Sequence, residues 1–382
     1  MFSNSIKLCT ISGIEIKVDP SWLIIAGLIT WSLSKQYFPA VFPDQTNATY
    51  FYMALSAMLL FFGSLLVHEL AHSVVARRNG VPVERITLFL FGGVAELEAE
   101  PQSARIELWV ALAGPVMSFS LAFGFWFLAV FAGALPNLSV TQAVFSYLAL
   151  INFILAVFNL IPAFPLDGGR VLRAYLWHRS GDLLQATKTA AKSGAVFAYF
   201  FMSLGLLALF QGAILTGLWQ LLLGGFVLFA ARSSYQAQRM RLLFKGKAVE
   251  NLMNPVPVIV SPDMQLSDFV NEIMLRSGVS FVPVVENKVL LGHMDQTLLS
   301  GIDRNNWAST RVGDVFAGLD PETTVGPALP IQDLLKTIST TGQRKFLVVD
   351  DHALMGVITL ADLTRFLQIT DQFVGGTSAQ QR

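Results

Sequence analysis

The sequence predicts a polytopic α-helical membrane domain followed by a smaller α/β module used twice. Three observations carry this. Charged residues make up 14% of the 382 residues and apolar ones 53%, whereas soluble domains carry about 25% charged residues. The apolar load is concentrated before residue 232. Past residue 247 the composition becomes mixed, and a pattern of about 60 residues occurs twice, the mark of one module repeated.

In chain order, six stretches read as candidate spans. The first, Pro20 to Ser34, is short for about 30 Å of hydrocarbon. The second runs from Tyr52 to Ala76. The third, Ile106 to Leu135, is long enough to tilt. The fourth runs from Gln142 to Pro162. The fifth and sixth, Gly194 to Phe210 and Ala213 to Ala231, are joined by a tight turn. With the N-terminus inside, the inner segments hold Lys7 and Lys17, then Arg77, Arg78, Arg85 and Arg105, then Arg170, Arg173, Arg179, Lys188 and Lys192, and finally Arg232 to Lys247; the outer ones hold Lys35. That asymmetry favours both termini in the cytoplasm and supports an even number of spans.

Between the second and third spans, Ile86 to Glu98 is β-branched, aromatic and broken by Gly92 and Gly93. It reads as a short hairpin at the membrane surface. The membrane domain covers 1–232 and a basic linker 233–247. The two repeats cover 248–308 and 309–371, and 372–382 is a polar tail. In the repeats, Ser280 to Val285 matches Lys345 to Val349, and Leu290 to Met294 matches Met355 to Ile358. Each pair reads as two strands leading into a helix.

Composition also excludes. Formal net charge is zero, so no basic field suggests nucleic acid. Cys9 is the single cysteine, which rules out an internal disulfide and a thiolate zinc site. The N-terminus shows no cleavable signal pattern.

The strongest chemical signal is His68-Glu69-Leu70-Ala71-His72. Residues four apart share a helix face, so both imidazoles can bind one ion. Glu69 stands beside them, where a carboxylate can take the proton of an attacking water. A His-Glu-His cluster inside an apolar span is costly unless it is paired, ligated or functional. A catalytic metal needs a third protein ligand and one open position. Asp167, in Asn159-Leu-Ile-Pro-Ala-Phe-Pro-Leu-Asp-Gly-Gly169, is the best candidate. Pro162 and Pro165 forbid a regular helix there, and the glycines free the backbone. Read alone, Asp167 serves equally as a cap at a helix start. Both motifs fall at the cytoplasmic ends of their spans, since His68 lies roughly 13 Å of helix from Arg77.

Together these two motifs resemble the site-2 protease family of intramembrane zinc metalloproteases. Phe91 to Ala95 and Ala113-Gly114-Pro115 are similar to that family too, so the resemblance covers 1–232. It implies that His68, His72 and Asp167 bind one Zn2+, that Glu69 is the general base, and that Asn159 hydrogen-bonds substrate or the developing oxyanion. The substrate would be a transmembrane protein in the lipid bilayer of the cell membrane. Gly92 and Gly93 would lie on a strand edge that receives substrate as an added strand. Many relatives carry Asn where this chain has Ser118, so the resemblance gives Ser118 no role.

The duplicated part resembles a pair of CBS (cystathionine-β-synthase) modules, which bind adenine nucleotides. The second repeat ends Gly356-Val-Ile-Thr359-Leu-Ala-Asp362. The resemblance implies phosphate and ribose contacts from Thr359 and Asp362, with ATP, ADP or AMP as ligand. The first repeat, Gly292 to Leu298, has lost both residues, so one nucleotide site is expected. The plain reading of Thr359 and Asp362 is a helix cap. Pairing through the modules would give a homodimer. His178, His293 and His352 read as ordinary surface or loop histidines. Two other classes stay open: a transporter gated by the CBS pair, and an inactive membrane scaffold. A transporter would show broken helices in two repeated halves, and the intact His, Glu and Asp set speaks against a scaffold.

Overall fold

Apolar runs bounded by capping residues set the helices of the N-terminal region. A computed structural model of the chain describes residues 5–376 apart from 12, 91, 98–100, 288 and 352. The chain divides into two compact units, Met1–Gln238 and Arg239–Arg382.

The first unit opens with a hairpin of β1 (Ile6–Ile11) and β2 (Ile14–Val18). Next come α1 (Trp22–Ser32), a π turn over Leu33–Tyr37, and α2 (Phe38–Val41). Helix α3 (Asn47–Arg78) starts where the Thr46 side chain accepts the Thr49 N–H and ends on Arg77 and Arg78, both favourable to the helix dipole. Strands β3 (Val83–Phe89) and β4 (Gly92–Leu97) follow. Then come α4 (Ala104–Gly133), capped by Ser103, α5 (Ser139–Asn159), α6 (Asp167–Ser180), α7 (Leu183–Phe210), capped by Asp182, and α8 (Ile214–Leu243).

Among the described residues, five helices are long and apolar enough to cross a membrane: α3, α4, α5, α7 and α8. The first expected span, Pro20 to Ser34, is not among them: it contains the 11-residue α1, too short alone to cross, whose helical path continues through the π turn. Helices α7 and α8 are longer than their apolar stretches. Residues 233–243, expected as linker, complete α8, because Ser233 to Leu243 contains neither Gly nor Pro. The outward faces are apolar, with Phe123, Trp126, Phe127, Val130 and Phe131 of α4 exposed. Such surfaces suit hydrocarbon rather than water.

The expected hairpin is present as β3 and β4, with Leu88 opposite Gly93 and Phe89 opposite Gly92. It belongs to a four-stranded sheet in the order β1-β2-β3-β4, in which β2 and β3 run parallel. Ile14, Val83 and Ile86 pack this sheet on Ala76 of α3 and Val110 of α4. The sheet is thereby fixed beside the C-terminal half of α3. Phe91 and Glu98 of the expected segment lie outside the described residues.

The second unit carries the repeat as two matching antiparallel hairpins. The first repeat has α9 (Leu266–Asp268), a π-helical run over Phe269–Leu275, β5 (Phe281–Glu286), β6 (Val289–Asp295) and α10 (Gln296–Leu299), and β7 (Ala317–Gly318), from the start of the second repeat, pairs with β6. The second has β8 (Thr324–Val325), α11 (Ile331–Thr341), β9 (Lys345–Asp350), β10 (Ala353–Thr359) and α12 (Leu360–Gly376). Their sheets are ordered β5-β6-β7 and β10-β9-β8. Phe281, Leu290, Leu347 and Val357 join the two hairpins in one apolar cluster. The expected polar tail lies largely outside the described residues, and so does His352.

Candidate metal centre

His68 and His72 lie four residues apart on α3, and both are buried. The third donor arrives from a distant part of the chain. After α5 ends at Asn159, the backbone turns through 160–166 and α6 begins at Asp167. The glycines after Asp167 answer a steric demand. A Cβ on Gly168 would stand 2.2 Å from the Leu160 carbonyl oxygen, and one on Gly169 2.2 Å from the Phe164 nitrogen. The loop therefore folds tightly against the first turn of α6 and aims the Asp167 carboxylate inward, 8% exposed.

The three groups converge. Asp167 Oδ2 lies 3.1 Å from His72 Nε2 and 3.3 Å from His68 Nε2, and the two Nε2 atoms are 3.2 Å apart. All the donor atoms fall within 4.8 Å of one another. The far ring nitrogens are held by α4. His72 Nδ1–H donates to the Val110 carbonyl at 2.6 Å, and His68 Nδ1 is 2.9 Å from Ser118 Oγ. An imidazole that donates from Nδ1 presents a lone pair at Nε2, the form a metal requires. Two imidazoles and a carboxylate, each pointing one lone pair at a common centre, fit a zinc ion with one position left open.

Gly114 of α4 closes the back of the cluster. A Cβ there would lie 2.2 Å from His72 Nε2 and 2.5 Å from His68 Nε2. Glu69 stands next to His68 on α3, half-buried. Its Cγ would be 2.7 Å from a Cβ on Gly93, so β4 crosses against the Glu69 side chain. Gly92 has a φ of +130°, a conformation open only to glycine. The two glycines thus serve different needs, one of backbone and one of contact. Asn159 is half-buried at the end of α5. Among the described hydrogen bonds of the cluster, none comes from its side chain.

In the second unit, Thr359 and Asp362 bond each other. Thr359 Oγ1 donates to Asp362 Oδ2 at 2.7 Å, and Asp362 N–H donates to Thr359 Oγ1 at 3.3 Å. This is the helix cap that the plain reading requires, at the start of α12. A cavity of about 840 Å³ lies elsewhere in this unit, lined by Phe281, His293, Asp295, Thr297, Asp320 and Lys345 among others. Thr359 and Asp362 are outside its lining. His293, expected at the surface, is buried, and its ring packs 4.7 Å from Phe281. Burial lowers its pKa. Burial raises the Asp295 carboxyl, but the Thr297 hydroxyl and the N–H groups of Thr297 and Leu298 outweigh it, and it titrates below the usual range. His178 is exposed, as expected.

Sequence reasoning missed Ser118, Val110 and Gly114 as the support of the histidines. Val110 acts through its backbone and leaves no mark in the sequence. The Gly114-Pro115 pair followed by a hydroxyl inside an apolar span was the readable signal for the other two.

The model of peptidase family M50 matches residues 56–137 and 129–204, and that of the CBS domain matches 249–293 and 312–369. Rip3 of Mycobacterium tuberculosis is 33% identical over 96% of this chain and 93% of its own length. The zinc metalloprotease MJ0392 of Methanocaldococcus jannaschii is 32% identical over 96% of this chain and 97% of its own length. Among solved structures, the site-2 protease from the same archaeon shares 31% identity, covering 60% of this chain and 94% of that one at a TM-score of 0.42. Two family matches in this order, and relatives aligned nearly end to end, leave one conclusion: the chain belongs to the M50, or site-2 protease, family of membrane zinc metalloproteases and carries a C-terminal CBS pair.

Proposed function

We propose that this protease hydrolyses peptide bonds in or beside transmembrane segments of other membrane proteins, with zinc held by His68, His72 and Asp167. The observation that carries the reading is the convergence of those three buried donors beside Glu69. Zinc, when bound, supplies a Lewis acid that polarises the scissile carbonyl and acidifies water. Glu69 accepts the proton of the attacking water and returns it to the leaving amine. Asn159 donates its amide N–H to the carbonyl oxygen as negative charge develops there.

A helical substrate hides its carbonyls in its own hydrogen bonds, so it must be extended before cleavage. Strand β4 ends the order of its sheet and runs past Glu69. We assign its outer edge as the place where substrate adds as a further strand. Gly93→Val should force β4 or Glu69 to shift and lower kcat/KM at least about tenfold, a loss of about 1.4 kcal/mol of transition-state stabilisation. Zinc content should stay unchanged. Wild-type kinetics in that variant would remove β4 from the reading.

Both termini are assigned to the cytoplasm on the charge asymmetry. Labelling of a cysteine placed in the C-terminal tail from outside intact cells, in a Cys9-free background, would overturn this. The CBS pair is assigned an adenine nucleotide, ATP, ADP or AMP, that shifts proteolytic activity. Lys345 can meet phosphate, the Phe281 and His293 rings a base, and Asp295 a ribose hydroxyl, in the cavity already described. Thr359 and Asp362, the expected contacts, bond each other as a helix cap and lie outside the lining of that cavity. The test is one assay. Purified full-length protein should cut a single-span substrate, stop with chelator, and change rate with nucleotide. Cleavage that survives chelation removes the zinc reading, and a rate indifferent to millimolar nucleotide removes the regulatory one.

A further inference from the structure

A buried ion pair connects α4 to α6 close to the metal centre, and neither member takes part in the chemistry assigned above. Glu107 is completely buried, and the Arg173 side chain is 11% exposed. Arg173 Nε donates to Glu107 Oε1 at 2.6 Å, and its Nη2 bonds the same oxygen. The Arg173 guanidinium also sits over the Phe164 ring, 5.1 Å from its centre. One side chain of α6 therefore grips both α4 and the loop that delivers Asp167.

Stability does not explain such a pair. Removing two charges from water is expensive, and apolar residues of similar volume are often as stable or more so. An ionisable group kept inside a membrane domain marks function by default. The geometry indicates which function. The buried face of α4 repeats at Glu107, Val110, Gly114 and Ser118, spacings of three and four residues. Ser118 holds His68, Val110 holds His72, and Gly114 backs both rings. Glu107 is the next position along that face. It reaches the helix whose first residue is Asp167.

We propose that Glu107 and Arg173 are positioning residues for the metal centre. Their pairing sets the height and rotation of α6 on α4, so that Asp167 meets the two histidine Nε2 atoms. One face of α4 then orients all three donors. Groups that orient metal ligands typically change metal affinity about 10–100-fold when lost.

This rests on the reading of Asp167 as a ligand, and the experiment separates the two. Full-length protein is purified as wild type, Glu107→Gln, the apolar pair Glu107→Leu with Arg173→Met, and Asp167→Ala. Zinc affinity is measured by competition with a chromogenic chelator, ligand geometry by the visible absorption of the Co2+-loaded protein, and folding by Tm. Glu107→Gln and the apolar pair should weaken zinc about 10–100-fold and alter the Co2+ bands. The apolar pair, having no unpaired charge, should keep its Tm, and this distinguishes positioning from folding. If the apolar pair is folded and binds zinc within about twofold of wild type while Asp167→Ala loses zinc, the proposal is overturned and the ligand reading stands. If Asp167→Ala itself keeps wild-type zinc affinity, the ligand reading fails and takes the proposal with it.

Discussion

Glu69→Gln should abolish cleavage and leave the metal where it is. The side chain keeps its size and place beside His68 but can no longer accept a proton. General-base catalysis contributes about 10²–10⁴-fold to rate, so the residual rate should fall by at least the lower figure. Glu69 lies outside the group of donor atoms that lie within 4.8 Å of one another, and zinc content should stay near one per chain. The opposite pattern is expected for His68→Ala, His72→Ala and Asp167→Ala, which remove donors and should lose zinc and cleavage together. Metal analysis of purified variants, run beside the single-span cleavage assay, decides both. Activity within tenfold of wild type in Glu69→Gln would end its assignment as the base. Full zinc in Asp167→Ala would require another third ligand.

The second large effect comes from adding one methyl group. In Gly114→Ala the new Cβ would stand 2.2 Å from His72 Nε2 and 2.5 Å from His68 Nε2. Those rings cannot swing aside freely, because their Nδ1 atoms are held at Val110 and Ser118. The histidines must tilt or α4 must retreat, and either separates the donors. Alanine favours helix over glycine by about 1 kcal/mol, so α4 itself should gain. Tm should therefore hold or rise while zinc affinity and kcat/KM fall by about 100-fold or more, the upper range for displaced metal ligands. A Gly114→Ala protein that binds zinc like wild type would show that α4 stands further from the site than described.

Much of the architecture was written in the sequence because lipid imposes simple rules. The spans now seen as α3, α4, α5, α7 and α8 announced themselves as apolar runs. Their ends did not, because α7 begins eleven residues before Gly194 in an amphipathic stretch capped by Asp182, and α8 continues through a polar one. The hairpin of β1 and β2 was missed. Every residue of β1 is exposed, so it carries no alternation between core and solvent. The parallel pairing of β2 with β3 joins residues far apart in the chain and has no local signature.

The candidate site was legible to a different degree. His68, Glu69 and His72 form a spacing motif on one helix, and Asp167 sits in a loop marked by two prolines. The contacts of α4 with these residues run through the Val110 carbonyl to His72 and through a pair 66 residues apart, Glu107 with Arg173, to α6. Neither can be inferred without the fold. The CBS repeat was readable from its matched strands. Its cavity was not, since the lining draws Asp295 from one repeat and Lys345 from the other.

His72 and Asp167 are 95 residues apart in the chain, and this bears on how the enzyme is made. At about 5–20 residues per second, roughly 5–20 s of translation separate them. Throughout that interval α3 is already synthesised with both imidazoles and Glu69, but the carboxylate has not yet left the ribosome. The nascent chain enters a bilayer crowded with other spanning segments while its donor set is incomplete. With Asp167 as the proposed third ligand, proteolytic competence waits on the order of synthesis, until the chain has reached α6 and that helix has packed onto α4. On that reading, a product truncated before residue 167 lacks the third donor of the proposed zinc site.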